Sequence, residues 1–108
     1  MTTSKLTIYF TNSFKRDLKK AIKQHKKLDE LFFVIDLLAD RISLPAKYKN
    51  HPLKGELQEY WDCHIENDFV LIYRCDYINN QLILVNLGTH SELFINLFDI
   101  FGDNNVNA

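Results

Sequence analysis

Three of the four histidines, His51, His64 and His90, fall within forty residues of one another, and an aspartate, Asp68, follows His64 in a polar turn. Imidazole titrates near neutrality, so one such ring can accept a proton while another donates one. Three histidines with an open position are also a known catalytic zinc arrangement. No HxH, HxxxH or CxxC pair is present to anchor a metal by local spacing, which favours acid–base chemistry without metal. A lone loop histidine is ordinarily just solvated, and that reading stays open for each ring taken singly. Cleavage of RNA needs both proton transfers, off the 2′-OH and onto the departing 5′-oxygen, and a cation for the crowded phosphorane. Lys54 and Arg74 are available cations, and Lys47 and Lys49 could grip phosphates. Tyr48, Tyr60, Phe69 and Phe94 could stack bases, although aromatic residues more often fill a core.

The elements that must position these residues read as follows. Leu6–Phe10 has the composition of a first, edge-proximal strand. Thr11, Asn12 and Ser13 offer capping oxygens to a helix whose apolar stripe is Phe14, Leu18, Ala21 and Ile22, closed by His25-Lys26-Lys27. Leu28–Ile42 predicts a second, more buried helix with Leu31, Val34, Ile35, Leu38 and Ile42 on one side, ended by Ser43-Leu44-Pro45. Ala46–Lys54 reads as irregular and basic.

Tyr60–Glu66 alternates, sending Trp61, Cys63 and Ile65 to one face and Tyr60, Asp62, His64 and Glu66 to the other. That parity separates Cys63 from His64, so the two cannot readily share a metal. Asn67-Asp68 is a turn, Phe69–Cys75 a central strand buried on both faces, and Gln81–Leu87 a last strand after an Asn79-Asn80 turn. Pairing across the first turn predicts His64 close to Asp68, with His90 brought alongside by the last strand. The order β-α-α-β-β-β predicts an α+β fold, a helical hairpin on an antiparallel sheet. After Gly88, the spacing of Leu93, Phe94, Leu97, Phe98 and Phe101 predicts a terminal helix that either caps the core or meets a partner. Asp103–Ala108 reads as a frayed tail.

The 108 residues, 46% hydrophobic, suffice for one domain and not two. Charge is unevenly spread. Residues 1–27 hold eight of the thirteen Lys and Arg against one acid, a net of +7, while the rest carries five bases and thirteen acids. Lys15, Arg16, Lys19, Lys20 and Lys23 crowd the first helix, either as a solvated face or as a surface for a polyanion. Two cysteines, Cys63 and Cys75, make no disulfide framework, no signal peptide is legible, and no apolar window spans a bilayer. A cytoplasmic protein without membrane association is expected.

The blocks HPLKG, CHIENDFVLIY and LGTHSELF, in that order and spacing, resemble the YafQ branch of the RelE superfamily, the mRNA-cleaving toxins of bacterial type II toxin–antitoxin pairs. The resemblance covers about residues 5–95. It implies two helices packed on a twisted antiparallel sheet. It also implies a ribosome-dependent endoribonuclease needing no metal or cofactor and held inactive by a bound antitoxin. The family's functional positions fall on His51, His64, Asp68, His90 and Phe94, and Phe69 stands where the family often has Trp. By this resemblance His51 and His90 transfer protons, His64 with Asp68 orients substrate or shares that role, and Phe94 positions a base. Some relatives carry Arg where Val85 or Asn86 stands here, so the phosphorane charge would fall to Arg74 or Lys54. The basic first helix would dock ribosomal RNA or an acidic antitoxin segment. The alternative is a non-catalytic module that binds its antitoxin and acts in operon autoregulation.

Overall fold

The apolar run that begins at Phe69 becomes the middle of a five-stranded sheet, with every side chain from Phe69 to Tyr73 buried. The computed structural model describes residues 5–97, with side chains placed through Leu93. Its elements are β1 (Thr7–Phe10), α1 (Asn12–Lys23), α2 (Asp29–Ala39), β2 (His51–Pro52), β3 (Trp61–Glu66), β4 (Phe69–Asp76), β5 (Gln81–Gly88) and α3 (His90–Leu97). Single 3-10 turns lie at Ala46–Tyr48 and Gly55–Leu57. The sheet order is β1-β5-β4-β3-β2, and the fold is α+β.

Parity along the strands divides the interior in two. Cys63, Leu71, Tyr73, Leu82 and Leu84 meet Phe14, Leu31, Val34 and Ile35 of the helical hairpin in the main core. Burying each such large apolar side chain contributes roughly 1.5–3 kcal/mol. Val70 and Ile72 point to the other face, where Leu93 of α3 covers them. The terminal helix therefore caps a small second cluster through Leu93. Phe98, Phe101 and the 103–108 tail lie outside the described residues.

Several expectations are corrected. The sheet is mixed, because β1 pairs in parallel with β5, Thr7 opposite Gln81 through Phe10 opposite Leu84. The crossover of two helices between β1 and the later strands allows this direction, whereas tight turns force antiparallel pairing. The basic stretch after Pro45 is not wholly irregular. Lys49 takes a left-handed conformation (φ 47°) and turns the chain into β2, an edge strand where Pro52 costs no interior sheet hydrogen bond.

The second helix stops at Ala39, before Pro45. Arg41 adopts φ 62°, and the amides of Arg41 and Ile42 return to the carbonyls of Leu38 and Leu37, leaving Ile42 exposed. The first helix ends in the same way at His25 (φ 58°), whose own amide bonds the Ile22 carbonyl. Ile22, expected on the apolar stripe, is exposed. Among the described residues no helix is long and apolar enough to cross a membrane.

Candidate active site

Three neighbouring elements deliver the imidazoles to one sheet face. β2 places His51 directly opposite Asp62 of β3, and in β3 His64 is two residues on from Asp62. Cross-strand partners and residues two apart share a face, so His51, Asp62 and His64 stand together. They lie on the side of Val70 and Ile72, their partners on β4, away from the helical hairpin. β5 ends at Gly88, and Thr89 opens α3 with a reciprocal cap. The Glu92 carboxylate accepts from the Thr89 N–H (3.0 Å), and the Thr89 hydroxyl accepts from the Glu92 N–H (3.2 Å). His90 is thereby set at the first turn of α3 beside the β3–β4 hairpin.

The three rings lie close together. His64 and His90 have centroids 4.8 Å apart, and His51 lies 6.2 Å from His64. His90 Nδ1–H donates to the Asp68 carboxylate (2.6 Å), and the His90 backbone N–H donates to the same oxygen (3.1 Å). His51 Nδ1–H donates to the Lys49 carbonyl (2.7 Å). Both acceptors lack hydrogens, which holds each ring in the Nδ1–H tautomer when neutral and leaves Nε2 to exchange protons. The two hydrogen bonds from His90 hold the Asp68 carboxyl below its ordinary range, so it remains an acceptor at neutral pH. The His51 and His90 side chains are each 51% exposed, and His64 23%.

Asp62 was not among the sequence candidates. Its residue exposure is 7%, with one carboxylate oxygen 3.6 Å from His64 Nε2 and the other 3.9 Å from His51 Nε2. Its buried Oδ1 has no hydrogen-bond partner among the described residues. A charge sunk between two imidazoles is placed to steady whichever becomes a cation. Strand parity could have identified it, since Asp62 and His64 share a face at spacing two. Asp62, His64 and His90 also each offer a ligand atom within 4.8 Å of the others, so together they could hold a metal ion.

The remaining candidates divide. Lys47 and Lys49 line an open groove of about 490 Å³ that also borders His64, Glu66 and Asn67. Lys54 is exposed in the loop after β2. Arg74 does not reach the histidines. It lines a separate cavity with Tyr9, Tyr60 and Val85, four residues along β4 from the position opposite His64, or about 13 Å at the usual strand rise.

Phe69 is 6% exposed in the main core with the Lys26 ammonium over its ring, so it stacks no base. Tyr48 is buried too, its hydroxyl donating to Glu30 (2.5 Å). The pairing expected between His64 and Asp68 is replaced by His90 with Asp68 and His64 with Asp62. Lys20, expected to be free for docking, pairs with Glu92, whereas Lys15, Arg16, Lys19 and Lys23 are exposed. The Phe94 side chain lies outside the described residues.

Residues 6–95 match the family model described as the bacterial toxin of type II toxin–antitoxin system, YafQ. The chain is 38% identical over 88 residues to the mRNA interferase toxin YafQ of Escherichia coli strain K12, covering 81% of this chain and 94% of that one. Among solved structures, a metal-bound toxin from Helicobacter pylori superposes with a TM-score of 0.77 at 43% identity, over 82% of this chain and 98% of that one. The toxin chain of the E. coli DinJ–YafQ toxin–antitoxin complex gives 0.76 at 36% identity, over 83% and 98%.

Proposed function

The chain belongs to the YafQ toxin family of bacterial type II toxin–antitoxin systems, and from that premise we propose that it is an endoribonuclease that cleaves mRNA on the ribosome by histidine acid–base catalysis. The single observation that carries this reading is the convergence of His51, His64 and His90 with two carboxylates on one open sheet face. One anchored imbalance of roles suffices for the reaction. The unprotonated Nε2 of one ring takes the 2′-OH proton as that oxygen attacks phosphorus, and a protonated ring gives its proton to the 5′-oxygen as the P–O bond breaks. The products are a cyclic phosphate and a free 5′-hydroxyl.

His51 and His90 suit the two proton transfers, because each has Nδ1 anchored and Nε2 open. His64, less exposed and between them, contacts the phosphate, with Asp62 steadying the positive rings. Lys47 and Lys49 hold the backbone in the groove beside His64. The exposed cations of α1 dock ribosomal RNA, and a cognate antitoxin silences the toxin, as the DinJ–YafQ neighbour suggests.

The test is primer extension on mRNA from translating ribosomes with purified parent, His51→Ala and His90→Ala. Loss of a general acid or base should slow cleavage by about 10²–10⁴-fold. Parent-like cleavage by folded His90→Ala would refute the assignment, and a parent that neither cleaves nor arrests growth would leave only the antitoxin-binding module.

A second reading is favoured by the ligand atoms of Asp62, His64 and His90 and by the metal-bound H. pylori relative. A zinc ion held there would compete with protons for the same ring nitrogens and so act as an inhibitor. Cleavage that persists in chelator and falls on adding zinc supports inhibition. Cleavage abolished by a chelator selective for transition metals, with the ribosomes kept in magnesium, would make the protein a metal-dependent nuclease.

A further inference from the structure

The one acid on the basic helix is not facing solvent. Asp17 is half-buried, and its Oδ2 accepts from the Leu87 backbone N–H (2.9 Å) and from Asn86 Nδ2 (3.0 Å). One turn on, Lys20 reaches across to Glu92 of α3, whose other carboxylate oxygen caps the Thr89 N–H. Between these ties Gly88 packs closely under Glu92, since a Cβ there would sit 3.0 Å from Glu92 Oε1. Two of the three residues that precede His90 are therefore tied, Leu87 by Asp17 and Thr89 by the Glu92 that Lys20 engages.

The helix applying this grip is itself fixed. The Thr11 and Ser13 hydroxyls donate to the carbonyls of Leu84 (2.8 Å) and Val85 (2.6 Å), and Phe14 and Ala21 are buried in the main core. Thus α1 and its N-terminal flank are bonded to β5 through three residues, Thr11, Ser13 and Asp17, and to α3 through Lys20.

We propose that Asp17 is a positioning residue for His90, with Lys20–Glu92 as a second tie, so that the basic helix sets where the His90 imidazole stands. This rests on the reading of His90 as an acid–base group. An Asp17→Asn change keeps the shape of the side chain but removes the charge that attracts both donors, weakening a charge-assisted bond to the strand end. A catalytic ring displaced by a fraction of an ångström loses rate without losing substrate affinity.

The experiment is single-turnover cleavage of mRNA on translating ribosomes, with the rate at saturation and the half-saturating toxin concentration measured separately. Full-length Asp17→Asn should cut the saturating rate by about 10- to 100-fold, with half-saturation within about twofold of the parent. Lys20→Met and Glu92→Gln, the latter keeping an acceptor for the Thr89 N–H, should each lose about three- to fivefold, and the double variant should lose no more than either alone, because both act through one tie. If Asp17→Asn does not fold by circular dichroism, the Lys20 and Glu92 variants decide: losses that multiply in the double variant overturn the proposal. If His90→Ala is inactive while Asp17→Asn, Lys20→Met and Glu92→Gln cleave like the parent, the positioning proposal fails and the acid–base reading stands. If His90→Ala itself cleaves like the parent, the acid–base reading fails and this proposal with it.

Discussion

Replacing Asp62 by Asn should make the protein slower and no less stable. The Asp62 carboxylate is buried with its oxygens 3.6 and 3.9 Å from the nearest ring nitrogens, too far for hydrogen bonds. A buried polar group without a partner costs about 1–3 kcal/mol, so the charge weakens the resting fold. The balance reverses once a ring becomes an imidazolium. Unit charges 4 Å apart near a protein surface attract by about 4 kcal/mol, which the half-exposed His51 and the 23% exposed His64 reduce by solvent screening to about 2–3 kcal/mol. At 1.36 kcal/mol per tenfold, losing that attraction slows the step that forms the cation by about 30- to 150-fold. The assay is single-turnover cleavage on ribosomes beside thermal unfolding of the same preparation. Parent-like cleavage by Asp62→Asn would refute the electrostatic role. A melting temperature lowered in step with activity would show a structural carboxylate instead.

Other outcomes follow from the same geometry. Lys15→Glu, Lys19→Glu and Lys23→Glu together, leaving the engaged Lys20 intact, should weaken ribosome association and flatten its dependence on salt; unchanged sedimentation with ribosomes would rule out docking through α1. Asp68, held below its ordinary 3.8 by hydrogen bonds from His90, and Glu92, held below 4.5 chiefly by Lys20, have folded values under their unfolded ones. Their stabilisation is complete above about pH 4.5 and is lost as pH falls through the folded values, so the stability gap between parent and Asp68→Asn should shrink from pH 5 to pH 3. A gap constant over that range in urea titrations would contradict the Asp68–His90 bond. Burial pushes the Cys63 thiol up to about 12, so it should resist alkylation in the native state and react only after unfolding. Rapid labelling at pH 8 without denaturant would mean the core opens there.

The elements themselves were largely legible along the chain, for local reasons. Alternation in residues 60–66 revealed β3 and the face its polar side chains share, the unbroken apolar run revealed β4, and Thr11 marked the start of α1 by the cap its hydroxyl makes with the Phe14 amide. Each of these depends on neighbours within a few residues. The three histidines and Asp68 could likewise be picked out as chemistry-bearing types at strand ends and turns. Their pairing could not. Whether Asp68 serves His64 or His90 depends on where α3 leaves β5, and Asp62 becomes important only because a two-residue strand sets His51 opposite it. Arg74 lay out of reach because strand rise separates it from His64, and Lys20 was claimed by an acid 72 positions away. Periodicity says which way a side chain points; only the folded sheet, by bringing distant segments within 4 Å, decides which charge it meets.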